Sequence, residues 1–361
     1  MAIIEKLHIL RFRNLDNQYL EPNTNINLFI GGNGQGKTNL IEALYYLGHN
    51  RSFKSKNIKD VVPFEKEFLQ IDAVVDDVRV LLKKSKNKNT ILFNQQKVSS
   101  NSRLTHLMPI QIISPDRGFI VGGPPKLKRS FLDWGVFHVK PGLLKTYKSY
   151  NKALKNINTL LTNNNTKQLD YWLIQIATLS VEISSARADY IQKLKKTLKK
   201  PQFGPLKELI KQNNKFDFHL QTGWTKDTNH IDQESIYKYL IKNRGSFAKL
   251  KHLNYGPHKA TIDYYFNNQN EQHLSRGEQK KLSIFYWILQ VLMLVELNIK
   301  PIVLIDDISS ELDQEKIDLI LGFLIKLEVQ IFATDIGNKP LSVDKKIATI
   351  YQIDKGIIVK K

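Results

Sequence analysis

The sequence predicts an α/β fold in two parts: an α/β lobe assembled from residues 1–120 and 250–361, and an inserted, basic, mainly helical lobe over 121–249. Three observations predict it. A short apolar run, Ile26–Ile30, stops at glycines and gives way to a helical pattern, so that a strand, a glycine loop and a helix follow one another. Between Leu143 and about Lys200 apolar residues recur at helical spacing. After Leu250 the alternation of strands and helices resumes.

Residues 2–13 mix β-branched and polar side chains with partial alternation and read as a strand. In 39–47, Leu40, Ala43, Leu44 and Leu47 share one helical face. Residues 68–98 read as strands punctuated by a lysine- and asparagine-rich hairpin turn. Leu143, Tyr147, Tyr150, Leu154, Ile157, Leu160 and Leu161 predict one long helix, broken at Asn163–Asn165. Leu169, Trp172, Ile176, Leu179 and Ile183 predict a second, ended by Pro201. Beyond 250 come strand-like residues 255–266, a helix from Arg276 to about Asn298, a buried strand Pro301–Ile305, another helix and the run IFATD. No internal repeat or long heptad run is present, which disfavours a solenoid or an extended coiled coil.

The 361 residues suffice for two lobes, and 42% hydrophobic against 24% charged residues implies a buried core. The chain has no cysteine, and charges interrupt every apolar run of the N-terminus, so a reducing, cytoplasmic setting is expected. Ile284–Leu297 is interrupted by Gln290 and Glu296 and falls short of the ~20 residues of a bilayer crossing, so no membrane span is expected. The net charge of +20 favours a polyanionic partner. It is concentrated in residues 121–249, which hold 23 basic and 9 acidic side chains. Lys128 and Arg129 read as solvent-facing, and Lys195, Lys196, Lys199 and Lys200 form the end of a lysine-rich helix, so these six are candidate phosphate contacts.

Gly31, Gly32, Asn33, Gly34, Gln35, Gly36, Lys37 and Thr38 satisfy the GxxxxGK[ST] pattern between a buried strand and a helix. Such a loop curls its amides around phosphates, with Lys37 placed for the β- and γ-phosphates of ATP and Thr38 for Mg²⁺. Pro301–Ile305 leads into Asp306 and Asp307, two adjacent carboxylates. Asp306 is the candidate Mg²⁺ ligand and Asp307 the residue that orients or deprotonates the attacking water.

Leu274-Ser275-Arg276-Gly277-Glu278-Gln279-Lys280 opens a helix and contains a capping box, Ser275 with Glu278. It also resembles the LSGGQ signature of ABC ATPases, which implies that Ser275 and Gly277 face the γ-phosphate held by a second subunit, making ATP the glue of a homodimer. Ser309 to Asp313 match the D-loop position, Asp313 contacting the partner, and Thr334 or Asp335 takes the switch position. Gln111 is the candidate Q-loop glutamine for Mg²⁺.

FRN at 12–14, GGNGQGKTNLIEALYYLGHNRSFKS at 31–55, SPDRGFIVGGPPKLKRSFLDWGVFH at 114–138, GPHKA at 256–260, LSRGEQKKL at 274–282 and VLIDDISSELD at 303–313 resemble the RecF family, recombination mediators related to the heads of SMC ATPases. In the 131–138 segment Phe131, Leu132, Trp134 and Phe137 read as core packing. The chain departs from the family at Lys259 and Lys54, where arginine is usual, and at Ala260 and Thr261, where acids are usual.

The resemblance implies ATP-dependent dimerisation, slow DNA-stimulated hydrolysis, binding to duplex DNA at gaps and single-strand/double-strand junctions, and engagement of RecR, with RecO, to load RecA in recombinational repair. A transporter's nucleotide-binding subunit shares the P-loop, signature and acidic pair, but not the basic insertion or FLDWGVFH. A module that ATP merely locks onto DNA, with incidental hydrolysis, is the other alternative.

Overall fold

The computed structural model describes every residue except 1, 115–117, 166, 211–214, 308, 310, 311 and 337–346. The chain forms two compact units, one of residues 1–118, 202–209 and 284–361, the other of 119–201 and 210–283.

The first unit opens with β1 (Ile4–Leu10), β2 (Gln18–Leu20), β3 (Ile26–Ile30) and α1 (Lys37–His49). Then come β4 (Phe68–Val75), β5 (Val78–Ser85), β6 (Asn89–Phe93), β7 (Gln96–Lys97), α2 (Asn101–Leu107) and β8 (Ile110–Ile113). Six of the strands make an antiparallel sheet in the order β2-β1-β4-β5-β6-β7. Its tight hairpins turn at Asp76-Asp77 and Asn94-Gln95, all four at positive φ, the two-residue geometry whose twist matches that of paired strands. Along β4, Leu69, Ile71, Ala73 and Val75 alternate into the core, where they join the buried α1 residues Leu40, Ile41, Leu44 and Leu47.

The second unit contains α3 (Pro125–Val139), α4 (Leu143–Thr162), α5 (Leu169–Leu198), β9 (Phe216–Gln221), α6 (Gln233–Lys242), α7 (Arg244–Leu250), β10 (Thr261–Phe266) and β11 (Gln269–Asn270). Tyr150, Ala153 and Ile157 of α4 bury against a core that includes Leu173 and Ile176 of α5 and Ile236, Leu240 and Phe247 of α6 and α7. Of the aromatic segment in α3, Phe131 and Leu132 are buried and Trp134 and Phe137 half-buried. Arg187 ties the unit together, pairing with Asp133 of α3 and donating from Nη1 to the Pro257 carbonyl at 2.6 Å.

Two features depart from the sequence expectation. Phe216-Asp217-Phe218-His219-Leu220 alternates apolar and polar side chains and forms β9, a strand inside the segment expected to be mainly helical. β10 pairs antiparallel with β9, and β11 with β10, so the strand after 250 belongs to the second unit. That unit therefore continues to Ser283, past the boundary expected at 249, and takes in the signature segment.

The chain continues with α8 (Arg276–Glu296), β12 (Ile302–Ile305), α9 (Gln314–Lys326), β13 (Ile331–Asp335), β14 (Ala348–Asp354) and β15 (Ile357–Lys360). These strands enclose β3 in a second sheet of the first unit, ordered β15-β14-β3-β13-β12-β8, parallel except for β15. Residues 202–209 belong to this unit because Phe203 packs edge-on against Phe285 and Phe323. No described helix is long and apolar enough to cross a membrane.

Candidate nucleotide site

Four neighbouring parallel strands, β3, β13, β12 and β8, end on one edge of the second sheet, the edge where open α/β sheets place their ligands. Register aligns their ends. Ile305 lies opposite Ala333 on one side and Ile113 on the other, so one residue further Asp306 is level with Thr334 and Ser114. Thr334 Oγ1 donates to Asp306 Oδ1 at 2.9 Å, and Ser114 Oγ to Oδ2 at 3.3 Å. The Thr38 side chain also acts on this carboxylate, lowering its pKa. Burial pushes the Asp306 carboxyl above its ordinary pKa, while the bond from Thr334, the Thr38 side chain, the charge of Lys54 and the Ser114 bond pull it down.

Asp307 follows with φ 51°, a left-handed conformation that turns the chain away from the strand. Its amide donates to Thr334 Oγ1 at 2.8 Å. One hydroxyl thus accepts from the second acid's backbone and donates to the first acid's side chain, fixing the pair. Asp335, at the end of β13, accepts from the Ser309 hydroxyl and the Ile336 amide.

The glycine loop fills the space after β3. Gly36 has φ 114°, which side-chain-bearing residues rarely adopt, and α1 starts without a side-chain cap, leaving its first amides available to an anion. Gly31 passes so near β14 that an added Cβ would lie 2.3 Å from the Ile353 carbonyl oxygen. Lys37 is buried, and its Nζ donates to the carbonyls of Gly31 and Gly32 at 2.7 and 2.8 Å. Burial lowers its pKa, opposed by Asp307, Asp306 and Asp335.

The loop is braced from outside. Asn14 Nδ2 donates to the Gln35 carbonyl and Asn14 Oδ1 accepts from Asn39, while Gly356 and Lys355 of the β14–β15 turn donate to the Gln35 carbonyl and side chain. Arg13 makes a two-pronged pair with Glu42, whose side chain is fully buried on α1, and Ser52 donates to the same carboxylate.

The signature segment, in the other unit, realises the expected capping box. Ser275 donates from both its amide and its hydroxyl to Glu278 Oε2 at 2.9 and 2.8 Å, and the Glu278 amide returns a bond to Ser275 Oγ at 3.3 Å. These bonds hold the Glu278 carboxyl below its ordinary pKa. Ser275, Arg276 and Gly277 are exposed, with open space where a Gly277 side chain would stand. Asp313 caps α9 by accepting from the Lys316 amide and pairs with the Lys316 ammonium.

Residues 3–359 match the family model described as RecF/RecN/SMC N terminal domain. The "DNA replication and repair protein RecF" of Actinobacillus succinogenes is 33% identical over 368 residues, covering 98% of this chain and 99% of the relative. Its counterpart in Haemophilus influenzae is 32% identical, with 98% of each chain covered. The chain belongs to the RecF family. The fold agrees: a solved structure of "the recombination mediator protein RecF-ATP in RecFOR pathway" superposes with TM-score 0.86 at 25% identity, covering 100% of this chain and 98% of the other. An Smc head domain from Pyrococcus furiosus superposes with TM-score 0.56 at 12% identity, covering 100% and 96%. The architecture is accordingly the ABC-ATPase-like α/β head of RecF and SMC proteins.

Within this RecF-family fold the loop and acid candidates meet at one edge, and others do not. Gly31 to Thr38, Asp306 and Thr334 meet at one edge. Gln111 does not reach it. It lies buried in β8 opposite Val303, donating to the neighbouring Ile112 carbonyl, and Ser114 is the β8-side residue at the carboxylate. Lys128 is buried in an ion pair with Glu271, and Arg129, half-buried, donates to the Ala260 carbonyl, so neither is the solvent-facing phosphate contact expected. Lys195 pairs with Asp217, whereas Lys196, Lys199 and Lys200 are exposed. Ser310 and Glu311 of the expected D-loop and residues 115–117 lie outside the described residues.

Sequence reading gave no role to Ser114, Asn14, Arg13 or Glu42. All four lie in the segments 12–14, 31–55 and 114–138 that carry the family resemblance, and that is the signal the sequence holds for them. Among the described residues no three His, Cys, Asp or Glu side chains cluster as a metal site. The edge instead offers one buried carboxylate and the Thr38 hydroxyl, a donor set that suits Mg²⁺ completed by phosphate oxygens and water.

Proposed function

We propose that the chain is an ATP-operated DNA-binding ATPase that pairs with a second copy of itself over nucleotide and acts at gapped or junction DNA in recombinational repair. The observation that carries the reading is the convergence of Thr38, Ser114 and Thr334 on the buried Asp306 beside Lys37 and an uncapped helix start. Its fit to ATP and Mg²⁺ is electrostatic: a cation relieves the burial of Asp306, and a phosphate replaces the carbonyls that now satisfy Lys37. Mg²⁺, when bound, supplies charge for the phosphates. Thr38 and Asp306 would hold it, and Asp307, fixed through Thr334, would orient or deprotonate water. Ser275, Gly277 and Asp313 would meet the partner copy. The repair setting, with RecR and RecO as partners, follows the names of the relatives and the RecFOR pathway of the RecF structure.

The test is Asp307→Asn with ATP and Mg²⁺, reading mass by light scattering and affinity for gapped duplex by fluorescence anisotropy. Turnover is expected to fall about 100-fold or more while a DNA-bound dimer persists. Mass and DNA affinity that ignore ATP in both proteins would sink the proposal.

A further inference from the structure

α4 carries a feature that the nucleotide site does not use. Lys145, Lys148, Lys152 and Lys155 follow at steps of three, four and three residues, which aligns them along one side of the helix. All four are exposed. The buried positions Tyr150, Ala153, Ile157 and Leu161 lie on the opposite side, so the file faces water along its whole length. The twenty residues of α4 contain no acid, and among the described residues none of the four lysines forms an ion pair. The neighbouring helix offers Glu182, but it accepts from Thr146 on the flank of the file. At the far end Thr162 donates to the Lys251 carbonyl, adding an exposed cation whose ammonium meets Asn164.

A stretch of uncompensated like charge is costly to retain unless something of opposite sign covers it, and helix pairs of Glu and Lys would have been the simple way to neutralise it. The three candidate cations that the fold buries or pairs, Lys128, Arg129 and Lys195, give the contrast. Spacing says what the partner is. Ten residues of helix span about 15 Å, and phosphates of one duplex strand recur every ~3.4 Å of axis and about 7 Å along the winding backbone, so the file reaches about two or three phosphates of one strand. Exposed Ser149 and Asn151 flank the file on either side as neutral hydrogen-bonding groups suited to phosphate oxygens.

The geometry points to the α4 lysine file, Lys145, Lys148, Lys152 and Lys155, as a track for the phosphate backbone of duplex DNA. This rests on the DNA-binding part of the proposed function and places the contact on α4, whereas the sequence pointed to Lys128, Arg129 and the end of α5. Because the contacts are ammonium to phosphate, the track carries no base preference and a steep salt dependence.

The test compares the wild-type protein, the fourfold variant Lys145→Gln, Lys148→Gln, Lys152→Gln and Lys155→Gln, and the threefold variant Lys196→Gln, Lys199→Gln and Lys200→Gln at the end of α5. Affinity for a blunt duplex is measured across a salt series, with polyglutamate as a second probe and circular dichroism to show the helices intact. The slope of log affinity against log salt should shrink by about 2 to 3 in the fourfold variant, and affinity should fall about 10-fold or more. A fourfold variant with the wild-type slope overturns the track, as does a loss confined to the α5 variant, or polyglutamate binding that needs the file while duplex binding does not. A wild-type protein that binds no duplex even at low salt brings down the DNA-binding reading itself.

Discussion

Two helix starts, one in each unit, offer the same physical resource and treat it differently. α1 begins at Lys37 behind a left-handed glycine, with no side chain capping its amides. α8 begins at Arg276 under a closed box in which Glu278 holds both donors of Ser275. Unpaired amides and the positive end of a helix dipole attract anions at either place. The first is left open by design of the backbone, since Gly36 turns the chain and Lys37 waits on two carbonyls of its own loop. The second already has an anion, its own carboxylate. Any phosphate arriving there would have to displace Glu278, so this start is self-occupied where that of α1 is open.

The largest effect that would sharpen this contrast lies beneath the open helix. Arg13→Ala leaves the fully buried Glu42 carboxyl without its two-pronged partner. Stability should fall by about 3–5 kcal/mol, read by denaturant unfolding. A loss below about 1 kcal/mol would mean that α1 holds its position without the brace.

A smaller effect separates the unit that carries the signature. His258 sits between the Tyr150 hydroxyl, 2.7 Å from Nδ1, and the Leu253 carbonyl, and burial pushes its imidazole down to about 4. The folded form holds it neutral while the unfolded chain takes up a proton near pH 6.5. Stability from this group is therefore full above about pH 6.5 and declines as pH falls towards about 4. Stability curves of the wild type and His258→Gln should converge with acid over that window. Parallel curves would remove His258 as the cause.

Much of the open site was legible, because the phosphate loop and the acid pair are local patterns whose mechanism dictates their context. Thr38 and Asp306 needed only the rule that parallel strands end on one edge. Ser114 was not legible, since its place beside Asp306 depends on β8 lying next to β12, a pairing of strands about 190 residues apart that no local pattern announces. Gln111 failed for the same reason: register, not spacing, decides which β8 residue stands at the carboxylate. Lys128 and Arg129 looked like a basic surface pair, yet Glu271 and the Ala260 carbonyl, distant in sequence, draw them inward. β9 is the opposite case, because its alternation was present in the sequence and was outweighed by the helical length around it.

The finest test breaks the self-occupied helix start alone. Glu278→Gln keeps an oxygen to accept from Ser275 but removes the charge, so the cap weakens by about 0.5–1 kcal/mol. Under the proposed function the same change also removes a carboxylate that would repel the partner copy's phosphate, so ATP-driven dimerisation should tighten, by about 3- to 10-fold for 0.7–1.4 kcal/mol of relieved repulsion. Opposite signs for folding and assembly are the expected signature, read by thermal melts and by light scattering with ATP. The depressed pKa of Glu278 sets the pH behaviour of the wild type. Its stabilisation is present above the ordinary glutamate value of about 4.3 and lost only as pH falls through the lower folded value. Between about pH 6 and pH 8 the box therefore stays charged and closed, and Glu278 contributes no step to dimerisation there. If the glutamine variant assembles more weakly, Glu278 acts with the phosphate site and the two helix starts are alike after all.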